Sequence, residues 1–188
     1  MKHDSKPLKA RSRKNAGYTL LEMIVVVAML AVGLAIVGMS INTIFSLEMR
    51  QCTKNISSEL GKEKVAAMTR TGEVYMRLYK DSDGIYIDKY ENDTLIEGHI
   101  KVGTVKVMVR YYSLSDTSGT PLDNVGIIIA FNKNDGSFKT IGKAWALFDT
   151  AHGSLYPDEY YSKIVVSGGN SSRGIDLKPN TGKFTISG

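Results

Sequence analysis

The chain has 188 residues, of which 43% are apolar and 23% charged, a composition that is typical of a globular protein and excludes a largely disordered one. The formal net charge is +5, but residues 1–17 carry six basic side chains and one acidic side chain and therefore account for all of it. The rest of the chain is formally neutral and gives no strong signal for nucleic-acid binding. The only cysteine, Cys52, excludes an internal disulfide.

Residues 1–17 are basic and lack apolar periodicity, so we predict a leader peptide there. Residues 18–47 contain one charged side chain, Glu22. About 30 residues would span roughly 45 Å as a helix, which predicts a transmembrane helix over 18–47. The cations before it predict a single-pass protein of the cytoplasmic (inner) membrane, with its N-terminus inside and its globular domain extracytoplasmic.

Glu22 is unusual because a carboxylate in a lipid-facing helix costs on the order of 2.5 to 3.5 kcal/mol. No Lys or Arg lies between Tyr18 and Leu47 to pair with it. Cleavage between Gly17 and Tyr18 would create an α-amine with a pKa of about 8, four residues before Glu22. Such an amine would supply the cation that Glu22 lacks.

The run Gly17-Tyr18-Thr19-Leu20-Leu21-Glu22 behind a basic leader resembles the prepilin peptidase site of type IV pilins and pseudopilins. In that family a Gly precedes an aromatic residue, usually Phe, and Thr-Leu-Ile/Leu-Glu follows. The resemblance covers about the first 40 residues and implies cleavage after the Gly, N-methylation of the new terminus and assembly of helices into a filament. It implies that Gly17 and Tyr18 form the processing site. It also implies that the helix over 18–47 is an assembly helix, with Tyr18 and Glu22 acting in assembly. The chain departs from the pattern in having Tyr18 in place of Phe and in having its nearest leader cation, Lys14, three residues before Gly17.

A secretory signal peptide cleaved after Ala35 is the alternative reading of the N-terminal segment, because Gly33-Leu34-Ala35 fits a small-x-small cleavage site. Glu22 would then lie at the start of the signal's apolar core. The helical pattern also continues past Ala35, which favours the pilin-like interpretation.

Beyond Ser40 the apolar residues form a helical stripe, which predicts an amphipathic continuation of the same helix over 48–72. The stripe consists of Phe45, Met49, Cys52, Ile56 and Leu60. We interpret Cys52 as a small apolar residue on a packed helix face. The helix is expected to end near Thr71-Gly72.

From residue 73 onward the apolar period changes to two, which predicts a β-rich globular domain over 73–188 with no second helix. The predicted strands are 73–80, 84–90, 105–112, 125–131, 137–148, 160–167, 174–178 and 183–187. One long helix followed by many short strands indicates an α+β fold, in which the helix packs on an antiparallel β-sheet or a β-sandwich.

The C-terminal half carries a second resemblance, in the spacing of its strands and turns. The run 131–137, Ile164-Val165-Val166-Ser167, the run 173–177 and Thr181-Gly182-Lys183-Phe184 are similar in layout to H-type minor pseudopilins of type II secretion and their pilus relatives. These proteins combine the N-terminal helix with a sandwich of short strands. The resemblance favours a minor subunit over a major one.

The sequence contains no nucleophile motif, no phosphate-binding glycine loop and no set of histidines at metal-binding spacing, so we expect no enzyme and no cofactor. Asp81, Asp83 and Asp88 are a candidate calcium site, with a hairpin turn as the alternative that the spacing favours. Tyr156, Tyr160 and Tyr161 beside Lys163 are either an exposed stacking surface or buried aromatics of a sheet.

These observations predict a pilin-like structural subunit of a type IV pilus, a type II secretion machine or a competence pseudopilus. Its expected partners are other pilin or pseudopilin subunits, the prepilin peptidase, the membrane assembly platform and the lipid bilayer. After assembly we expect it in a filament or at the cell surface. The alternative is an unprocessed, signal-anchored surface protein whose β-rich domain is an adhesin or a sensor.

Overall fold

The computed structural model of the chain describes residues 18–150 and 155–188, and for residues 36–42 it describes the backbone alone. The predicted leader, including Gly17, lies outside the described residues. The helices are α1 (Leu20–Thr69) and α2 (Ile141–Phe148). The strands are β1 (Val74–Asp81), β2 (Gly84–Glu91), β3 (Thr94–Thr104), β4 (Met108–Ser113), β5 (Thr120–Pro121), β6 (Ile127–Ala130), β7 (Tyr161–Gly168), β8 (Ser171–Lys178) and β9 (Lys183–Ser187).

Helix α1 has 50 residues and ends two residues before the predicted stop. No helix in the described part of the chain has the length and hydropathy that a membrane span requires. The predicted membrane-spanning first half is therefore not confirmed. The amphipathic second half is confirmed, because the side chains of Met49, Cys52, Ile56 and Leu60 are all buried.

The strands form two antiparallel sheets, as the period-two pattern predicts. The first sheet has four strands in the order β3-β2-β1-β6, and the second has five in the order β5-β4-β7-β8-β9. Strands β1 and β2 form the predicted hairpin, in which Asp81 pairs with Gly84. The last two strands are also joined as predicted, through a single 3-10 turn over Pro179–Thr181.

Helix α1 and both sheets contribute to one hydrophobic core within residues 40–188. The helix contributes its buried stripe, the first sheet contributes residues such as Leu78 and Ile87, and the second contributes residues such as Ile164 and Ile175. Cys52 packs against β3, where a Cβ atom added to Gly103 would lie 2.6 Å from the Cys52 Sγ. The interpretation of Cys52 as a packed apolar residue is confirmed, and burial raises the pKa of its thiol to about 12.

The prediction that there is no second helix is wrong. Residues 137–148 were expected as a strand, but the structure has α2 from Ile141, capped by Thr140, whose side chain accepts a hydrogen bond from the Lys143 N–H. Burial of Ile141, Ala144 and Trp145 stabilises the helix because the spacing of three and four residues places them on one face. Packing of that face decides the helical conformation.

Strand β3 was not predicted. It follows β2 through Asn92 and Asp93, which both have positive φ angles, 46° and 63°. This two-residue connection has the backbone that a tight hairpin requires, and Asn and Asp tolerate it better than most residues other than glycine. The first part of β3 is exposed, so its sequence does not alternate between apolar and polar residues. The missing alternation explains why the strand escaped prediction.

Candidate functional site

The start of α1 holds Glu22, one of the two predicted assembly residues, in a capping box with Thr19. Thr19 precedes the helix, and its backbone N–H donates to the Glu22 Oε2 at 2.9 Å. In return, the Glu22 N–H donates to the Thr19 Oγ1 at 3.2 Å. The Thr19 hydroxyl also donates to the Glu22 carboxylate at 3.1 Å. Glu22 therefore satisfies backbone groups of its own helix, a role that the spacing Thr-x-x-Glu signals but the sequence prediction had not assigned.

The first turns of α1 form an exposed apolar surface. Every described side chain from residue 18 to residue 35 is exposed, and the surface includes large apolar groups such as Leu20, Leu21, Ile24 and Leu30. Within these residues Glu22 is the only charged side chain. A continuous apolar surface of this kind marks a site of interaction with a partner or with lipid.

Of the predicted processing pair, only Tyr18 lies within the described residues, and its side chain is exposed. Tyr18 stands just before Thr19 and outside the helix. A new amino terminus at Tyr18 would thus leave the capping box of Thr19 and Glu22 intact, because the Thr19 N–H remains part of a peptide bond.

The three aspartates of the calcium candidate do not converge. Asp83 pairs with Lys101 at 2.9 Å and accepts a hydrogen bond from the Tyr86 hydroxyl. Asp88 is buried and accepts the His99 N–H at 2.7 Å, whereas the Asp81 carboxylate accepts the N–H of the next residue. No group of three potential metal ligands occurs among the described residues. The geometry favours the alternative, a hairpin turn.

The three tyrosines near the C-terminus form no common stacking surface. Tyr161 is buried in the core, and Tyr156 lies flat against Trp145 with ring centroids 4.2 Å apart. Tyr156 and Tyr160 are both half-exposed, and both pack against the hydrophobic core. The structure thus favours the interpretation of these residues as packed aromatics.

A buried charge cluster between α1 and β2 was missed by sequence reasoning. Lys89 of β2 binds the Glu59 Oε2 at 2.5 Å and Glu97 at 3.1 Å. Glu63, one turn after Glu59, is also buried, and its Oε1 has no hydrogen-bond partner in the described structure. Residues 59 and 63 are four apart on a helix, so their side chains lie on the same face. Because both residues are charged, the sequence alone did not indicate that this face is buried.

Comparison with known protein families identifies the N-terminal segment. Residues 12–38 match the family model described as the prokaryotic N-terminal methylation motif. The match contains Gly17, Tyr18 and Glu22. Searches of curated proteins and of solved structures return no match to this chain. The resemblance that the sequence indicated is confirmed: residues 12–38 are the prepilin peptidase signal of type IV pilins and pseudopilins.

Proposed function

We propose that the chain is a minor pilin or pseudopilin, a structural subunit of a type IV pilus, a type II secretion machine or a competence pseudopilus. The first part of α1 holds it in the cytoplasmic membrane, where the prepilin peptidase removes residues 1–17. It then joins other subunits through that helix, with the β-rich domain outside the membrane. The proposal assigns no catalytic reaction to the chain.

The observation that carries the proposal is the methylation motif over residues 12–38. The exposed apolar surface of residues 18–35 supports it, because a helix with apolar side chains on all sides must be covered by lipid or by other helices. The two antiparallel sheets that follow α1 along the chain fit the layout of H-type minor pseudopilins, which favours a minor subunit.

In the assembled state Glu22 has a second role besides capping its own helix. We infer that its carboxylate pairs with the Tyr18 α-amine of a neighbouring subunit and sets the axial register of the helices. Two opposite charges 4 Å apart attract each other by about 1 kcal/mol in water and about 4 kcal/mol at an effective dielectric constant near 20. Leu20, Leu21 and Ile24 supply apolar contact area on the same helix.

The alternative is an unprocessed, signal-anchored surface protein whose β-rich domain is an adhesin or a sensor. It also requires the apolar helix and the exposed domain. It differs from the proposed pilin-like subunit because it requires neither cleavage nor a free amine at Tyr18. Whether the chain is cleaved before Tyr18 therefore distinguishes the two functions.

Intact-mass analysis and N-terminal sequencing of the membrane-extracted protein test the proposal. We expect a mature chain that lacks residues 1–17 and begins at Tyr18, carrying one added methyl group. In a strain without prepilin peptidase the chain should keep its leader, and Gly17→Val should have the same effect because it places a branched side chain at the scissile bond. A chain beginning at Ile36 would establish the secretory signal instead, and a chain that keeps its leader in the wild-type strain would favour the unprocessed surface protein.

A further inference from the structure

A cavity of about 220 Å³ lies between α1, β1, β2 and the first part of β3. Its apolar wall contains Ala66, Val74, Tyr90 and Ile96. At roughly 30 Å³ each, about seven water molecules fit into this volume, and so does a small ligand group. The cavity lies within residues 40–188 and shares no residue with the exposed apolar surface of residues 18–35. A ligand bound here therefore leaves the surface that we propose for assembly free.

Glu63 lines this cavity and is the group of its wall that lacks a partner. The residue is only 3% exposed, and its Oε1 has no hydrogen-bond partner in the described structure. None of the ion pairs that the described residues form on α1 and β2 includes Glu63. Such groups are rare, because a polar group that loses water on burial normally finds a partner. Burial raises the pKa of Glu63 to about 7, so below this pH its carboxyl group carries a proton that it can donate.

Three basic side chains line the same cavity, those of Lys62 and Arg70 on α1 and of Lys89 on β2. Each of them binds a carboxylate: Glu59 binds both lysines, and Glu91 binds the arginine. A lysine has three N–H donors and an arginine five, so donors remain for a ligand. Besides Glu63, the acidic residue of the described wall is Glu97, which pairs with Lys89. With Glu63 protonated, the wall itself therefore carries three positive charges and one negative charge.

We propose that this cavity binds a carboxylate group, which accepts a hydrogen bond from the Glu63 carboxyl and lies near the three basic side chains of the wall. The carboxylate supplies the acceptor that the buried acid lacks, and its charge strengthens the hydrogen bonds that it accepts from the wall. A small free carboxylate and the acidic side chain of another protein offer the same group. A cation is the opposite ligand, because it requires an ionised Glu63 and is repelled by the basic side chains.

Thermal unfolding of the full-length protein in mild detergent with sodium acetate tests the proposal, and sodium chloride at equal concentration controls for ionic strength. A ligand that binds the folded chain raises the melting temperature, and the dependence of this rise on concentration gives the Kd. Because Glu63 donates only when protonated, acetate should bind about tenfold more weakly at pH 8 than at pH 6. Equal or tighter binding at pH 8 would overturn the proposal, as would the absence of any rise beyond that in chloride. Tighter binding of methylammonium than of acetate would show that the cavity takes a cation.

A second titration identifies the source of the carboxylate. Nα-acetyl-glutamate methylamide carries the same group on a peptide-like backbone. Tighter binding of this compound than of acetate would support an acidic side chain of another protein, and tighter binding of acetate would support a small free carboxylate. Binding of neither compound would overturn the site for both sources.

Substitutions in the cavity wall locate the site. Glu63→Gln places an amide N–H donor in the cavity at every pH, so its affinity for acetate should be the same at pH 6 and pH 8. Lys62→Gln removes one cation of the wall and should weaken acetate binding about threefold. Lys54→Gln is the matched control, because Lys54 is exposed on the same helix and does not line the cavity. Equal weakening in both lysine variants, or a Glu63→Gln variant that keeps the pH dependence, would contradict the assignment.

Discussion

Among the carboxylates of the described residues, that of Glu63 has the smallest exposed fraction. Its side chain is 3% exposed and faces Lys89 of β2, with Arg70 and Glu59 of α1 nearby. Burial raises the pKa of Glu63 to about 7, although the charges of Lys89 and Arg70 oppose the increase. The folded protein therefore holds this proton more tightly than the unfolded chain, in which the carboxyl has its ordinary pKa near 4.5.

This difference makes stability depend on pH. Between pH 4.5 and 7 the unfolded chain has lost the Glu63 proton while the folded chain still holds it, so the free energy of unfolding falls as the pH rises through this window. Glu63→Gln is neutral throughout and should avoid the loss. We expect the variant to be more stable than wild type at pH 8, by at most about 3 kcal/mol, and to have no advantage at pH 4. Urea unfolding at the two pH values measures the difference.

Glu59 provides the matched control, one helical turn away. Its carboxylate pairs with Lys62 and Lys89, so Glu59→Gln leaves Lys89 with only the exposed Glu97 as partner. Removing one member of a partly buried ion pair destabilises a protein. The control should therefore be less stable than wild type at pH 8. A Glu63→Gln variant that behaves in the same way would show that Glu63 is ionised and paired in the folded chain.

At the scale of elements, the second half of α1 is held by its buried stripe. Ile56 is fully buried, whereas Val65 on the same helix is 61% exposed. Ile56→Ala should lower the free energy of unfolding by about 2 to 5 kcal/mol, because it removes apolar contacts and leaves a cavity. Val65→Ala should change it by less than about 0.5 kcal/mol. Thermal and urea unfolding measure the free energy of unfolding of the two variants. Similar losses of stability in both would mean that α1 does not pack on the core through the face that carries Ile56.

The elements that sequence patterns predicted are those in which burial follows a simple period. Cys52 and Ile56 lie on one helical face, and from Ile164 onward β7 alternates between buried and partly exposed residues. Helix α2 was missed because residues 141–148 are almost continuously apolar and fit a buried strand as well as a helix. Only the contacts that these residues make with the core decide between a helix and a strand, and those contacts involve residues distant in sequence.

The candidate sites likewise divide into those with a local sequence pattern, which could be predicted, and those formed by residues distant in sequence, which could not. Residues Gly17, Tyr18 and Glu22 form a local motif, so the sequence alone indicated them. The capping box of Thr19 and Glu22 was equally local and could have been recognised from its Thr-x-x-Glu spacing. The buried charge cluster joins Glu59 and Glu63 of α1 to Lys89 of β2, and no sequence period brings these elements together.

At the scale of the whole molecule, the capping role of Glu22 and the assembly role that we propose for it can be separated, because they need different properties of the side chain. The capping box needs an oxygen that accepts the Thr19 N–H, and glutamine supplies one. The pair with a neighbour's α-amine needs a negative charge, which glutamine lacks. Thr19→Ala has the reverse effect, since it weakens the helix start by about 1 kcal/mol and keeps the charge.

We therefore expect Glu22→Gln to be cleaved at Tyr18 and to fold as wild type, yet to fail to enter filaments or to crosslink with other subunits. Glu22→Ala should fail in the same way, whereas Thr19→Ala should still assemble. The measurement is the fraction of processed subunit recovered in sheared filaments or in crosslinked dimers, at matched expression, with circular dichroism as the check on folding. Normal assembly of Glu22→Gln together with failure of Thr19→Ala would mean that Glu22 acts by capping its own helix, because only the hydrogen bonds, and not the charge, would then be required.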